Sequence, residues 1–218
     1  MTVTEAEREP QTQSKRRTWM GEEQPILNLV GEKVALGPHR RDLVPLYTRW
    51  MNDFSVTRGL GAPFGPMTRE AEEAWFDRMA LNQDEPAFLI YEAETLRPIG
   101  STGLHQVNLR HRHAEFGILI GEPECWGRGY GTETTRLMLD FGFHGMGLHN
   151  IMLRVYSFNE RGLNAYRRAG FHEIGRRREA IWVGGRAWDE VFMDALASEF
   201  NSESRIGSFS GQVGEYRV

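Results

Sequence analysis

The sequence predicts a mixed α/β fold, a single sheet of about seven strands with helices packed on it, from three observations. Period-two apolar runs and 3.6-period runs succeed one another in the order β-α-α-β-β-β-α-β-α-β-β, which is not the regular alternation of a βαβ chain. A glycine-rich turn, Gly127 to Gly131, joins an apolar run at Phe116 to Ile120 to an amphipathic run at Glu133 to His144. The chain has 218 residues, 40% hydrophobic and 26% charged, enough for one core without disulfide or metal.

Lys33-Val34-Ala35-Leu36 reads as the first strand. Asp42 to Met51 follows as a helix with Leu43, Leu46, Tyr47 and Trp50 on one face. Pro63 to Pro66 reads as a loop. Thr68 is placed to cap a helix from Arg69 to Leu81, whose stripe is Ala71, Trp75, Phe76 and Met79. Ala87 to Glu92, Ile99 to Leu109 and Ala114 to Gly121 read as three strands, the last two joined by the basic loop Arg110 to His113. A helix from Thr132 to His144 comes next, then a strand from Ile151 to Phe158 and a helix from Glu160 to Ala169 stopped by Gly170. Ile174 to Val183 and Ala187 to Leu196, joined at Gly184-Gly185, form a hairpin. Residues 1–24 and 201–218 are polar and aperiodic and read as a flexible arm and tail around one domain, 25–200.

A net charge of −4 gives no case for a nucleic-acid surface and mildly favours cationic partners such as amines. Cys125 is the single cysteine, so a reducing cytoplasm is expected and no internal disulfide can form. No apolar run is long enough to span a bilayer. His111 and His113 flank only an arginine, which is no metal set, and no metal is expected.

The turn Trp126-Gly127-Arg128-Gly129-Tyr130-Gly131-Thr132 carries the chemistry. Glycines let successive N–H groups turn inward, and the helix that follows adds unpaired donors and a positive dipole end. These suit a pyrophosphate. A Rossmann fingerprint fits poorly, because Thr132 stands where its third glycine belongs, and no Gly-Lys-Ser/Thr of a Walker loop is present.

Read with its neighbours, the loop narrows to one family. Ala114 to Leu196 resembles the GNAT superfamily of acyl-CoA-dependent N-acetyltransferases, in particular the branch of the RimJ/RimL ribosomal-protein and spermidine acetyltransferases. The resemblance rests on Ala114-Glu115-Phe116-Gly117-Ile118, on Trp126 to Glu133, on Asn159 to Phe171, and on Val183-Gly184-Gly185-Arg186-Ala187-Trp188-Asp189. Trp126 stands where the superfamily commonly has Gln or Arg, an aromatic variant usual in this branch. Gly162 stands where a small hydroxyl residue is common, so one auxiliary bond to the donor is expected to be missing.

The resemblance implies a mostly antiparallel sheet with a splayed parallel pair and helices on both faces. It implies acetyl-CoA as donor, pantetheine along Phe116, Ile118, Leu119 and Ile120, and pyrophosphate on Trp126, Gly127, Arg128, Gly129, Tyr130, Gly131 and Thr132. Asn159 is implied to contact the pantetheine arm, or to cap its helix, or both. Tyr166 is expected beside the thioester sulfur as the acid, against a plain packing role. Glu115 is the expected base, or else a structural carboxylate paired with Arg112 or a neighbouring strand. His105 is a second candidate from the preceding strand. Arg167 and Arg168 lie where a 3′-phosphate could pass. Cys125 is expected to be a small buried residue, and Trp75, Trp182 and Trp188 core or cleft walls. The expected reaction is direct transfer to a primary amine, either a protein N-terminus or a small amine such as a polyamine or amino sugar. The alternative is a CoA-binding module without turnover, and a homodimer is compatible with either.

Overall fold

The computed structural model describes residues 24–60 and 65–201. The expected arm and tail lie outside them apart from Gln24 and Asn201, as do Pro63 and Phe64 of the loop expected at Pro63 to Pro66. Eight strands form one sheet: β1 (Leu29–Val30), β2 (Val34–Gly37), β3 (Ala87–Glu92), β4 (Pro98–Asn108), β5 (His113–Ile120), β6 (Asn150–Tyr156), β7 (His172–Val183) and β8 (Arg186–Leu196). Their order is β1-β2-β3-β4-β5-β6-β8-β7, and every pair is antiparallel except β5–β6. The expected count of about seven is corrected to eight by β1, whose two residues pair Leu29 with Leu36 and Val30 with Ala35. Two residues are too short to show a period.

The helices are α1 (Val44–Asn52), α2 (Phe54–Thr57), α3 (Arg69–Leu81), α4 (Tyr130–Asp140) and α5 (Glu160–Ala169). Thr68 caps α3 by accepting from the Ala71 N–H at 3.2 Å, and α3 keeps the boundaries expected of it. Pro45 sits in the first turn of α1, and the chain enters it through a 3₁₀ turn at Arg41–Leu43. The helix after the glycine loop begins two residues earlier than expected, at Tyr130, and beyond Asp140 it loosens into a π turn, Phe141–Gly145.

Strand alternation gives the sheet two buried faces. One packs Leu104, Phe116, Ile151, Leu153, Val191 and Met193 against Leu137, Met138 and Leu139 of α4 and Leu163 of α5. The other packs Leu89 and Tyr91, with Leu119 at its margin, against Val44, Tyr47 and Trp50 of α1 and Phe76 of α3.

Where the sheet opens is set by β5 and β6. They pair only through His113–Asn150, Ala114–Ile151 and Glu115–Met152. Beyond Glu115, β5 keeps β4 as its partner while β6 keeps β8, so the parallel pair diverges from Phe116 onward. The backbone of Phe116 to Ile120 therefore has no strand on that side.

Candidate active site

Gly129 is the residue before α4 and holds φ +89°, with Gly127 at φ +73°, both in the left-handed region that glycine enters without strain. No side-chain cap bonds the first turn of α4, so its N–H donors face outward. A methyl group on Gly127 or Gly131 would meet nothing within 4 Å, which leaves the concave side of the turn open. This is a main-chain anion cradle at a helix N-terminus.

The supports of the cradle are polar side chains from distant segments. Glu122 is buried (4% exposed) and accepts from Trp50 Nε1 at 2.9 Å, from Arg97 Nη2 at 2.8 Å and from Arg49. It ties the entry of the turn to α1. Trp126 donates its indole N–H to the Ile120 carbonyl at 2.9 Å, and the Arg161 guanidinium of α5 lies 3.8 Å from the centre of its ring. That bond folds the turn back onto β5 and centres the unpaired stretch on Phe116 to Leu119. Glu133, in the first turn of α4, accepts from the N–H groups of Lys33 at 2.7 Å and Val34 at 3.3 Å. It thereby draws the β1–β2 turn to the cradle, and Lys33 Nζ reaches the Arg128 carbonyl at 3.4 Å. Beside Gly129 and Thr132 a cavity of about 840 Å³ is lined by Lys33, Arg136, Arg167 and Arg168. Lys33 and Arg136 join it only through the fold and carry no motif.

Asn159 caps α5, accepting from the Gly162 N–H at 3.0 Å. A side chain at position 162 would begin 2.7 Å from Asn159 Nδ2, so glycine there makes room for the capping amide. Tyr166 stands at the mouth of the splay, its ring edge-on to Phe116 (6.3 Å) and to Phe171 (6.1 Å). Burial pushes its phenol up to about 12, so the hydroxyl stays protonated at neutral pH.

On the opposite face, a cavity of about 510 Å³ lies between α3 and strands β4 and β5, lined in part by Trp75, Glu85, Ser101, His105 and Gly117 to Leu119. Ser101 Oγ meets His39 Nε2 at 3.1 Å. Tyr47 and Trp75 pack edge-on against the His39 ring at 5.3 and 5.5 Å. Burial lowers His39 to about 4, so it is neutral at neutral pH, and its Nδ1 has no partner. Neither residue belongs to a local pattern, and only the sheet brings them together.

Glu115 lies in the middle of the sheet, with Arg154 Nε at 2.8 Å and Gln106 Nε2 at 3.2 Å on its carboxylate. Of the structural partners weighed for it, the neighbouring strand is the one present; Arg112 instead donates to the Gly147 carbonyl at 2.6 Å. Cys125 is 3% exposed and burial raises its thiol, as suits a packing residue. Trp75 is a cleft wall as expected, whereas Trp182 is 71% exposed and is neither core nor wall. Among the described residues, no three His, Cys, Asp or Glu side chains converge as a metal set.

Residues 34–172 match the acetyltransferase (GNAT) domain family. The chain belongs to that family. A GNAT enzyme is an acyl-CoA-dependent N-acetyltransferase, and outward donors at a helix N-terminus beside an open turn are what an anionic group such as a pyrophosphate needs. The spermidine N(1)-acetyltransferase of Vibrio cholerae is 31% identical over 132 residues, covering 61% of this chain and 75% of that protein. The human alpha/beta-tubulin-N-acetyltransferase 9 is 27% identical over 158 residues, covering 67% and 75%. Among solved structures, the spermidine N-acetyltransferase of Vibrio cholerae in complex with CoA and spermine superposes with a TM-score of 0.70 at 26% identity, covering 77% of this chain and 97% of that one. In this GNAT domain no described helix is long and apolar enough to cross a membrane.

Proposed function

We propose that this acetyltransferase moves acetyl from acetyl-CoA to a small primary amine bound in the cavity between α3 and the β4–β5 strands. The observation that carries this is the lining of the cavity. It is bounded by Gly117 to Leu119 of the splayed strand and carries on its wall the carboxylate of Glu85 and the hydroxyl of Ser101, which is hydrogen-bonded to the buried, neutral His39 behind it. A volume of about 510 Å³ suits a small molecule. A neutral His39 does not repel an ammonium group, and whichever of the two donates, the Ser101 oxygen keeps at least one lone pair for an amine N–H. The name of the Vibrio cholerae relative makes spermidine the first amine to try.

In this scheme, the N–H groups from Gly127 to Thr132 hold the pyrophosphate, and Phe116 to Ile120 and Asn159 hold the pantetheine arm. The amine nitrogen attacks the thioester carbon, an N–C bond forms and the C–S bond breaks. Tyr166 donates a hydrogen bond to the departing sulfur. A phenol at about 12 stabilises a thiolate rather than surrendering its proton, so the freed thiolate takes its proton from solvent.

Thermal shift with acetyl-CoA followed by thiol release across polyamines, amino sugars and peptides with free N-termini tests the proposal. Turnover of small amines is expected. A stabilising shift with no turnover on any amine would convert the assignment to a CoA-binding module, and faster turnover of peptides than of any small amine would overturn the acceptor class.

A further inference from the structure

The proton released by the amine needs an acceptor, and the cavity holds one that the carboxylate on the splayed strand does not match. Glu115 is engaged by two donors, one of them the Arg154 guanidinium. Both carboxylate oxygens are thereby occupied, Oε1 by Arg154 and Oε2 by Gln106. His39 is buried, and its Nε2 is already engaged with Ser101.

His105 differs from both. It stands on β4 directly across from Glu115 of β5, at the end of the same cavity as Ser101. Its ring lies over two glycines. Its Nε2 is 3.1 Å from where a Cβ on Gly117 would be, and its Cε1 is 3.4 Å from where a Cβ on Gly103 would be. Gly117 is the second residue beyond the last β5–β6 pair, so Nε2 is held beside the strand that receives the thioester arm. The other ring nitrogen, Nδ1, faces Glu85 Oε2 at 4.0 Å. Glu85 is itself fixed, its Oε1 accepting from the Gln106 N–H at 2.6 Å across a bulge where Gln106 holds φ +48°.

We propose that His105 is the proton acceptor for the attacking amine, with Glu85 as the positioning residue that steadies the imidazolium; the proposal rests on the cavity being the acceptor site. As the N–C bond forms, the N–H electron pair stays on nitrogen and the proton passes to His105 Nε2, which returns it to solvent after the product leaves. A carboxylate behind an imidazole orients the ring and stabilises its charged form. The charged groups facing His105 are Glu85 at the end of the cavity, Glu115 on β5 with its Arg154, and Arg78 on α3.

Steady-state kinetics of His105→Gln, Glu85→Gln, Glu115→Gln and the His105→Gln/Glu85→Gln double variant decide it, with the acetyl-CoA thermal shift as the control for an intact donor site. His105→Gln is expected to lower kcat about 100-fold with the shift unchanged, and added imidazole to restore part of it. Glu85→Gln is expected to cost about fivefold alone and nothing once His105 is gone, since coupled residues are not additive. The proposal is overturned if His105→Gln stays within threefold of the parent, if Glu85→Gln costs the same in both backgrounds, or if Glu115→Gln alone removes turnover. Failure of the acceptor-site assignment would show differently, as an amine KM that neither Ser101→Ala nor Trp75→Ala moves.

Discussion

The two cavities of this enzyme are built by opposite means. The side proposed for the donor, from β5 through α5, offers main-chain groups: N–H donors turned outward by Gly127 and Gly129, and a strand edge left bare where β5 parts from β6. The cavity proposed for the amine offers side chains, Trp75 from α3 and Ser101 and His105 from β4, with His39 from the loop after β2 behind Ser101. Main-chain recognition needs a particular backbone shape and tolerates most side chains outside the glycines. Side-chain recognition needs particular residues, and places each on a different element. One half is therefore suited to a constant donor, and the other can change its amine with a few substitutions.

The comparison breaks most sharply at Gly129. A valine there would adopt φ near +89° and set its Cβ 3.1 Å from Lys33 Nζ. Strain of about 1–2 kcal/mol with displaced donors is expected to weaken acetyl-CoA binding about 100-fold by calorimetry while amine-site variants leave it unchanged. Tyr166→Phe comes next. Loss of one hydrogen bond to a charged sulfur predicts a fall in kcat of about 30-fold with unaltered acetyl-CoA affinity, and an unchanged kcat removes Tyr166 from the chemistry.

His39 tests the acceptor half through stability. Its folded value of about 4 lies below the ordinary 6.5, so between these pH values the unfolded chain binds more protons and stability falls as pH falls. Denaturant melts from pH 6.5 to pH 5 should show a loss of about 1.5 kcal/mol that His39→Gln abolishes. A parent curve as flat as the variant's would refute a buried neutral ring. Smallest is Ser101→Ala. Removing one neutral hydrogen bond of about 1 kcal/mol should raise the amine KM about fivefold and leave kcat near the parent value; a change confined to acetyl-CoA binding would move Ser101 to the other half.

The same contrast governs what could be read in advance. α3 and α5 keep their expected boundaries because each carries its own signals, Thr68 as a cap on one and Asn159 and Gly170 on the other. Gly127 and Gly129 announce the cradle because left-handed backbone is a local property. The departure at Gly162 was visible, but its reason, room for the Asn159 amide, required coordinates. β1 has no sequence signal of its own because its two residues are strand only by pairing with β2. Glu115 and His105 were both legible as titratable groups near the splayed strand; their partners, Arg154 and Glu85, were not, since cross-strand register and turn geometry decide them.

By itself, then, the order of residues determined the mixed sheet and the glycine turn, which follow from periodicity and local backbone preference within a short window, and, through its resemblance to the GNAT superfamily, the acetyltransferase class. The tertiary structure alone decided the cavity between α3 and the β4–β5 strands, the neutral state of His39, the supports Lys33, Glu122 and Glu133 bring to the loop, and the contrast between Glu115 paired with Arg154 and His105 facing Glu85. Those depend on burial and on contacts between segments far apart in the chain, which no window of sequence contains.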